Sequence, residues 1–210
     1  MAAPNTTPPP FVLAISSWLP DGGGDEFDEW CDVHHRGLLT VPGVRRARRF
    51  TIRRGSSGDA PDVLVTYDLD DPTIVGTDLW RERGGAAGPL PADIAAGLRA
   101  TTRSLAVAAA LPAQWWPPAR STLLDVFTIA DARRADALVA GMQGMAPDDA
   151  PVAIVRVLRA DDAPALVFVD HSEEDGHDAI DLLTDASGAN RTRWSVVFDE
   201  GPSEDGRTAP

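Results

Sequence analysis

The chain has no lysine. Its 19 basic residues are all arginine, set against 32 acidic ones, for a formal net charge of −13 over 210 residues. Binding to nucleic acid or to anionic membrane draws on basic side chains that neutralise phosphates, so this acidic balance argues against both as general functions. The all-arginine usage, in a chain rich in Ala, Gly, Pro and Asp, has the bias of a high-GC genome and carries no functional reading. Cysteine is almost absent too. Cys31 stands alone, which excludes an intrachain disulfide and any multi-cysteine metal site, and it reads as a small apolar residue on a helix face. Long apolar runs are missing: no window approaches the roughly 18 continuous apolar residues of a membrane span. The start lacks a basic stretch followed by an apolar core, so a cytoplasmic protein is expected. No phosphate-cradling glycine pattern occurs, since Gly22-Gly23-Gly24 is not followed by Gly-Lys-Ser. A serine triad is equally unsupported, with no Gly-x-Ser-x-Gly.

What is present is an ordinary globular balance, 43% apolar and 24% charged, which rules out a wholly disordered chain. The Pro-, Thr-, Ser- and Gly-rich ends, residues 1–10 and 201–210, read as mobile tails. Between them the length suits two halves of about 90 residues that share a core.

The periodicity gives an order of elements. Phe11 to Trp18 is a short β-rich run, apolar on both alternating faces. From Asp25 the period becomes helical, with Phe27, Trp30, Cys31, His34 and Leu38 on one face and Asp25, Glu26, Asp28 and Glu29 supplying acid to the first turn. Val41-Pro42-Gly43 is a breaker. Val44 to Arg53 follows as a strand in which Val44, Phe50 and Ile52 share a side. Asp62 to Leu69 alternates cleanly, with Val63, Val65, Tyr67 and Leu69 on one face. Asp71-Pro72 caps a second helix over Thr73 to Arg83, and Ala92 to Arg103 reads as helical. The run at 104–109 is ambiguous: alanine favours helix, yet the order of elements calls for a fourth strand there.

Trp115-Trp116-Pro117-Pro118 marks a junction, after which the pattern restarts. Strands are expected at Thr122–Ile129, Val152–Arg159, Ala165–His171 and Arg191–Asp199, and helices at Ala132–Met145 and His177–Ala186. Each half is thus β-α-β-β-α-β. The predicted class is α+β: two tandem ferredoxin-like halves, 11–116 and 117–200, each leaving one apolar sheet face that is most simply buried against the other. Packed face to face, they would form an intrachain α+β barrel.

The order of elements, with Phe27-x-x-Trp30, His35, Val41-Pro42-Gly43, Arg49-Phe50 and Tyr67, resembles the dimeric α+β barrel superfamily. It looks most like the proteins related to EthD and the antibiotic-biosynthesis monooxygenases. Members often carry a Trp, then Glu-His, then a Pro-Gly turn and an Arg in the next strand; here His34 stands at the Glu position. The match covers about residues 11–80 and is topological over 121–199. The resemblance implies a fused form of a barrel that other members build from two subunits, and a superfamily of oxygenases, isomerases, polyketide cyclases, haem enzymes and members without activity.

The candidate constellation is His34, His35, Arg49, Tyr67 and Trp80, with Trp30 beside it. A neutral histidine can take a proton near pH 7, which suits a general base for enolising or cyclising a carbonyl substrate. His35 is the preferred base and Arg49 the oxyanion partner; Trp30, Tyr67 and Trp80 would line the substrate site. His34, aligned with Phe27 and Trp30, could equally be a core residue, and Tyr67 could pack under the helices. The arginines at 45, 46, 48, 49, 53 and 54 read as a solvated face or as ion pairs with the acidic excess, with an anion site as the sharper alternative. Asp125 and Asp170 fall in strand-like runs. His171 and His177 flank an acidic loop that reads as solvated rather than as a metal site.

The expected function is therefore a cyclase, isomerase or monooxygenase of secondary metabolism, acting without metal or cofactor on an apolar oxygenated intermediate. The alternative is a non-catalytic binding or accessory protein on the same barrel. A haem-binding branch would require one histidine to be a free axial ligand. A monomer or homodimer is expected, with a small molecule as its partner.

Overall fold

The structure is a computed structural model that describes residues 11–52, 61–108, 123–129, 154–159, 165–171 and 190–201, together with 133, 134, 136, 137 and 140. Strand β1 spans Phe11–Trp18, helix α1 Gly24–Leu38, β2 Val44–Ile52 and β3 Val63–Leu69. A 3-10 turn at Pro72–Ile74 precedes α2, Asp78–Gly84, a second turn at Gly85–Ala87, and α3, Ala92–Gly97. Then come β4, Arg99–Ala108; β5, Leu123–Ile129; β6, Ile154–Arg159; β7, Ala165–His171; and β8, Asn190–Glu200. The class is α+β with antiparallel strands.

Strand order repeats between the halves. The first four strands run β4-β1-β3-β2 and the last four β8-β5-β7-β6, the ferredoxin-like order in which each half's third strand separates its first two. The strands pair antiparallel: β1 and β2 flank β3, while β7 and β8 flank β5. The chain divides into two compact units. The described part of one is Phe11–Thr51, Pro61–Leu105 and β8 from Val197; that of the other includes β5, β6, β7, the end of β4 and β8 up to Val196. The boundary expected at 116/117 lies outside the described residues, as do the Trp115-Trp116 junction and the helix expected at 177–186. Of the helix expected over 132–145, the described residues are helical.

In the first unit both sheet faces are buried. Phe27, Cys31 and Leu38 of α1, Trp80 of α2 and Ile94 of α3 cover Leu13, Ala47, Val65, Tyr67 and Leu69. The register lines these up across the sheet, Leu13 opposite Tyr67 and Tyr67 opposite Ala47. The alternate positions, Val12, Ala14, Leu64, Thr66, Asp68, Arg46, Arg48 and Phe50, are buried too. Such two-sided burial is why β1 and β3 read as nearly continuous apolar runs.

Three local expectations are corrected. A register shift between Val44 and Arg46 changes the parity of β2. Val44 therefore joins the helix-covered cluster with Ala47, while Phe50 pairs with Leu64 on the opposite face and does not share Val44's side. The helix expected at 73–83 is interrupted by Gly76 at φ 85°, so α2 starts only after Thr77, whose hydroxyl caps the Trp80 amide at 3.2 Å. The helix expected at 92–103 stops at Gly97, and β4 extends through the alanine-rich stretch to Ala108. There Val107 and Ala108 pair with Arg159 and Leu158; ladder bonds outweigh alanine's helical preference.

Candidate functional site

All six candidate side chains belong to the first unit, and α1 positions three of them. Its residues point three ways. Phe27, Cys31, His35 and Leu38 are buried; His34 reaches the end of α2 and Trp30, one turn away, the segment after it; Asp28 and Asp32 meet Arg49 of β2. The turn between α1 and β2 needs Gly43, which sits at φ 88° with Ile74 Cδ1 2.6 Å from where a Cβ would be.

His35 is sealed. It is 1% exposed, and its Nδ1 lies 2.6 Å from the hydroxyl of Tyr67, itself 1% exposed. The Phe198 ring of β8 stands 5.0 Å from the imidazole, and Trp80 meets Tyr67 edge-on at 5.5 Å. Burial pushes the His35 pKa down to about 3, helped by the nearby His34 and Arg49 charges. Burial likewise holds Tyr67 well above its ordinary value. The Cys31 thiol rises to about 12, burial outweighing the Arg49 guanidinium, so no thiolate nucleophile is available at neutral pH.

His34 sits differently. It is half-buried and stacks on Trp30 with ring centroids 4.6 Å apart and planes 17° from parallel. Its Nδ1 lies 2.8 Å from the Gly84 carbonyl oxygen. A carbonyl only accepts, so Nδ1 carries the hydrogen and, in the neutral ring, Nε2 carries the lone pair. Burial lowers its pKa, partly opposed by that carbonyl. Trp30 Nε1 donates to the Gly88 carbonyl at 3.2 Å, so the stacked pair clasps both ends of the turn at 85–87.

The two histidines thus exchange the positions read from the sequence: His35 is the packed one and His34 the accessible one. A base has to meet its substrate and hold a proton near neutral pH, and the enclosed His35 does neither. Arg49 is also committed. Its Nη1 binds Asp32 at 2.8 Å and the Asp28 carbonyl at 3.1 Å, and its Nε lies 3.1 Å from Asp28 Oδ1. With 4% of its side chain exposed, it ties α1 to the sheet rather than facing an oxyanion. Trp80 and Tyr67 belong to the His35 cluster, and Trp30 to His34; an edge contact of 6.1 Å between the imidazoles joins the two groups.

The arginine run resolves largely into ion pairs, as its acidic surroundings suggest: Arg45 with Asp70 at 2.8 Å, Arg46 bidentate with Asp199 at 2.6 and 2.5 Å, and Arg49 as above. Arg53 and Arg54 lie outside the described residues. Sequence reasoning missed Phe198 and Asp199, which arrive from the far end of the chain, and the glycine carbonyls at 84 and 88, which carry no side-chain signature. Among the described residues no group of three or more His, Cys, Asp or Glu could hold a metal ion. His171 ends β7, and His177 is outside them. No helix among them is long and apolar enough to cross a membrane.

A haem does not fit His35. An axial histidine must aim a bare nitrogen into a space wide enough for a macrocycle, whereas His35 is 1% exposed, its Nδ1 meets the Tyr67 hydroxyl and its Nε2 is buried. A Soret shift on adding haem to the parent should persist in His35→Leu; its loss there would overturn this reading.

No protein family matches the sequence, and no curated protein does. Solved structures resemble it in fold. A proposed monooxygenase of Fusobacterium nucleatum aligns with TM-score 0.61 at 8% identity over 91% of this chain and 94% of that one. Another, from Lactobacillus acidophilus, aligns with TM-score 0.56 at 6% identity over 92% and 97%. An anthrone oxidase-like protein aligns with TM-score 0.55 at 9% identity over 100% and 99%. At these identities the likeness is one of fold.

Proposed function

We propose that this chain is a cofactor-independent enzyme of the cyclase, isomerase or monooxygenase type, acting on a small, apolar, oxygenated substrate of polyketide or other aromatic origin. Its two ferredoxin-like halves would close into an intrachain α+β barrel, a fused relative of the EthD-like and antibiotic-biosynthesis monooxygenase proteins, working in the cytoplasm as a monomer or homodimer. The repeated strand order and the burial of both sheet faces in the first unit support that architecture. Neighbours named as monooxygenase and anthrone oxidase-like support the chemistry.

The observation that carries the reading is His34. Its tautomer is set by Gly84, so Nε2 offers a lone pair from a half-exposed ring. Burial keeps it neutral at pH 7. On taking a proton from a carbon made acidic by a neighbouring carbonyl, the imidazolium keeps its Gly84 bond and gains the face of the Trp30 indole, both of which favour the charged form. A planar aromatic substrate matches an edge built from Trp30 and His34.

Anthrone, an aromatic ketone whose central methylene carbon is acidic, is a suitable probe. Oxygen uptake with anthrone should fall about 100-fold in His34→Gln while the thermal midpoint stays near that of the parent. Full turnover in His34→Gln would sink the base assignment. A non-catalytic binding protein is the second reading, favoured by the commitment of Arg49 to two carboxylates, which leaves no oxyanion donor among the candidate residues. Saturable quenching of tryptophan fluorescence by anthrone without oxygen uptake would support it against the enzyme.

A further inference from the structure

Tyr67 is the only tyrosine in the chain, and it spends its hydroxyl on a buried histidine. The direction of that bond follows from counting unmet groups. If His35 Nδ1–H donated to the phenol oxygen, the phenol hydrogen would find no acceptor and the bare Nε2 no donor, two buried groups left over. If the phenol donates to Nδ1, one remains, the Nε2–H, and Nε2 is indeed without a hydrogen-bond partner among the described residues. An unmet buried donor costs about 1 to 3 kcal/mol, so the second arrangement is favoured. Packing alone does not explain why the core keeps an imidazole and a phenol with one unmet nitrogen where two phenylalanines would leave no unmet group.

The arrangement has the parts of a proton-coupled electron donor. The phenol proton has a base 2.6 Å away. The phenol ring meets Trp80 edge-on with centroids 5.5 Å apart. Trp80 is 8% exposed where Tyr67 is 1%, so the indole's residue is the less enclosed of the two. We propose that Tyr67 and His35 form a redox-active pair, from which a one-electron oxidant of the organic oxyl or peroxyl radical class withdraws an electron by way of Trp80.

The step balances. The oxidant gains one electron and becomes its anion; Tyr67 loses that electron and its hydroxyl hydrogen and becomes a neutral phenoxyl radical. The proton moves to His35 Nδ1, making an imidazolium. Loss of the electron leaves one positive charge in the core whether or not the proton moves. Imidazole is a far stronger base than an oxidised phenol, so the charge resides on His35. Burial then protects the phenoxyl from coupling with another radical. Nothing here depends on His34 acting as a base, and the pair operates whatever substrate the chain takes.

Pulse radiolysis of the full-length protein with azide, whose radical oxidises indoles, tests this directly. The tyrosyl absorption is expected to grow as the indolyl absorption decays, at a rate independent of protein concentration and slower in deuterated buffer. Trp80→Phe and His35→Gln should each slow that growth about tenfold or more, the glutamine keeping an acceptor for the phenol but holding no proton. Decay of the indolyl radical without tyrosyl growth, or parental rates in His35→Gln, would overturn the proposal. Should His35→Gln fail to fold, the isotope effect on the parent decides: identical rates in light and heavy water exclude proton transfer to His35. Loss of anthrone turnover in His34→Gln with unchanged tyrosyl growth would separate this pair from the proposed base.

Discussion

Below neutral pH, a double variant His35→Leu/Tyr67→Phe should become more stable than the parent. His35 has its pKa lowered to about 3 in the folded chain from an ordinary value of 6.5. Between those values the unfolded chain binds a proton at this residue and the folded chain does not, so stability falls as the pH falls. The contribution is whole above pH 6.5 and is lost progressively down to about pH 3, beyond which no further change comes from this group. At 1.36 kcal/mol per pH unit the loss is on the order of 4 to 5 kcal/mol, much of the roughly 5 to 15 kcal/mol that holds a typical domain. The lowered pKa of His34 acts in the same direction; the raised pKa of Asp28 acts in the opposite one.

Replacing both partners removes the bond without leaving either buried group unmet, so the double variant should lie close to the parent at pH 7. Urea midpoints at pH 7, 5 and 4, followed by tryptophan fluorescence, are the measurement. Parallel pH dependences in the two proteins would show that His35 is not neutral in the folded state. His35→Leu alone should be weaker than the double variant at every pH, because it strands the Tyr67 hydroxyl in the core.

Gly37→Ala is the second large effect. A Cβ at this position would overlap the Arg83 carbonyl oxygen and stand 3.1 Å from the carbonyl carbon, both backbone atoms of α2 that cannot turn aside. Alanine is the better helix former by about 1 kcal/mol, yet separating α1 from α2 should cost about 3 kcal/mol or more, for a net loss of roughly 2 kcal/mol. Displacing α2 also carries the Gly84 carbonyl away from His34 and Trp80 away from Tyr67. Stability and any turnover should therefore fall together. Gly85→Ala is the comparison: nothing lies within 4 Å of its Cβ position and its φ is −70°, so it should be neutral or slightly stabilising. Equal midpoints for the two variants would mean that α1 and α2 do not approach closely at Gly37.

Much of the first unit was legible. The change from alternation to helical spacing after Asp25 locates α1, the Val-Pro-Gly breaker ends it, and Val63, Val65, Tyr67 and Leu69 do share the helix-covered face. Of the readings open for the arginine run, a solvated face, ion pairs or an anion site, ion pairs hold for Arg45, Arg46 and Arg49. Alternation failed on β2, because a bulge adds one residue and reverses which side chains face the helices, and no residue type there announces it. It failed for the histidines because neighbours on a helix differ by only about 100°, and the apolar stripe at Phe27, Trp30 and His34 pointed to the wrong one.

The residues alone determined the order of the strands, the place of α1, the α+β class and the concentration of polar groups around α1, since periodicity and turn chemistry are properties of short stretches of chain. Tertiary structure decided which histidine is enclosed. The roll of α1 about its axis is set by contacts distant in sequence: Gly37 against the Arg83 backbone, Arg49 against Asp28 and Asp32, and Phe198 against the His35 ring. A small rotation there exchanges a buried imidazole for an accessible one, and only packing against those partners selects between them.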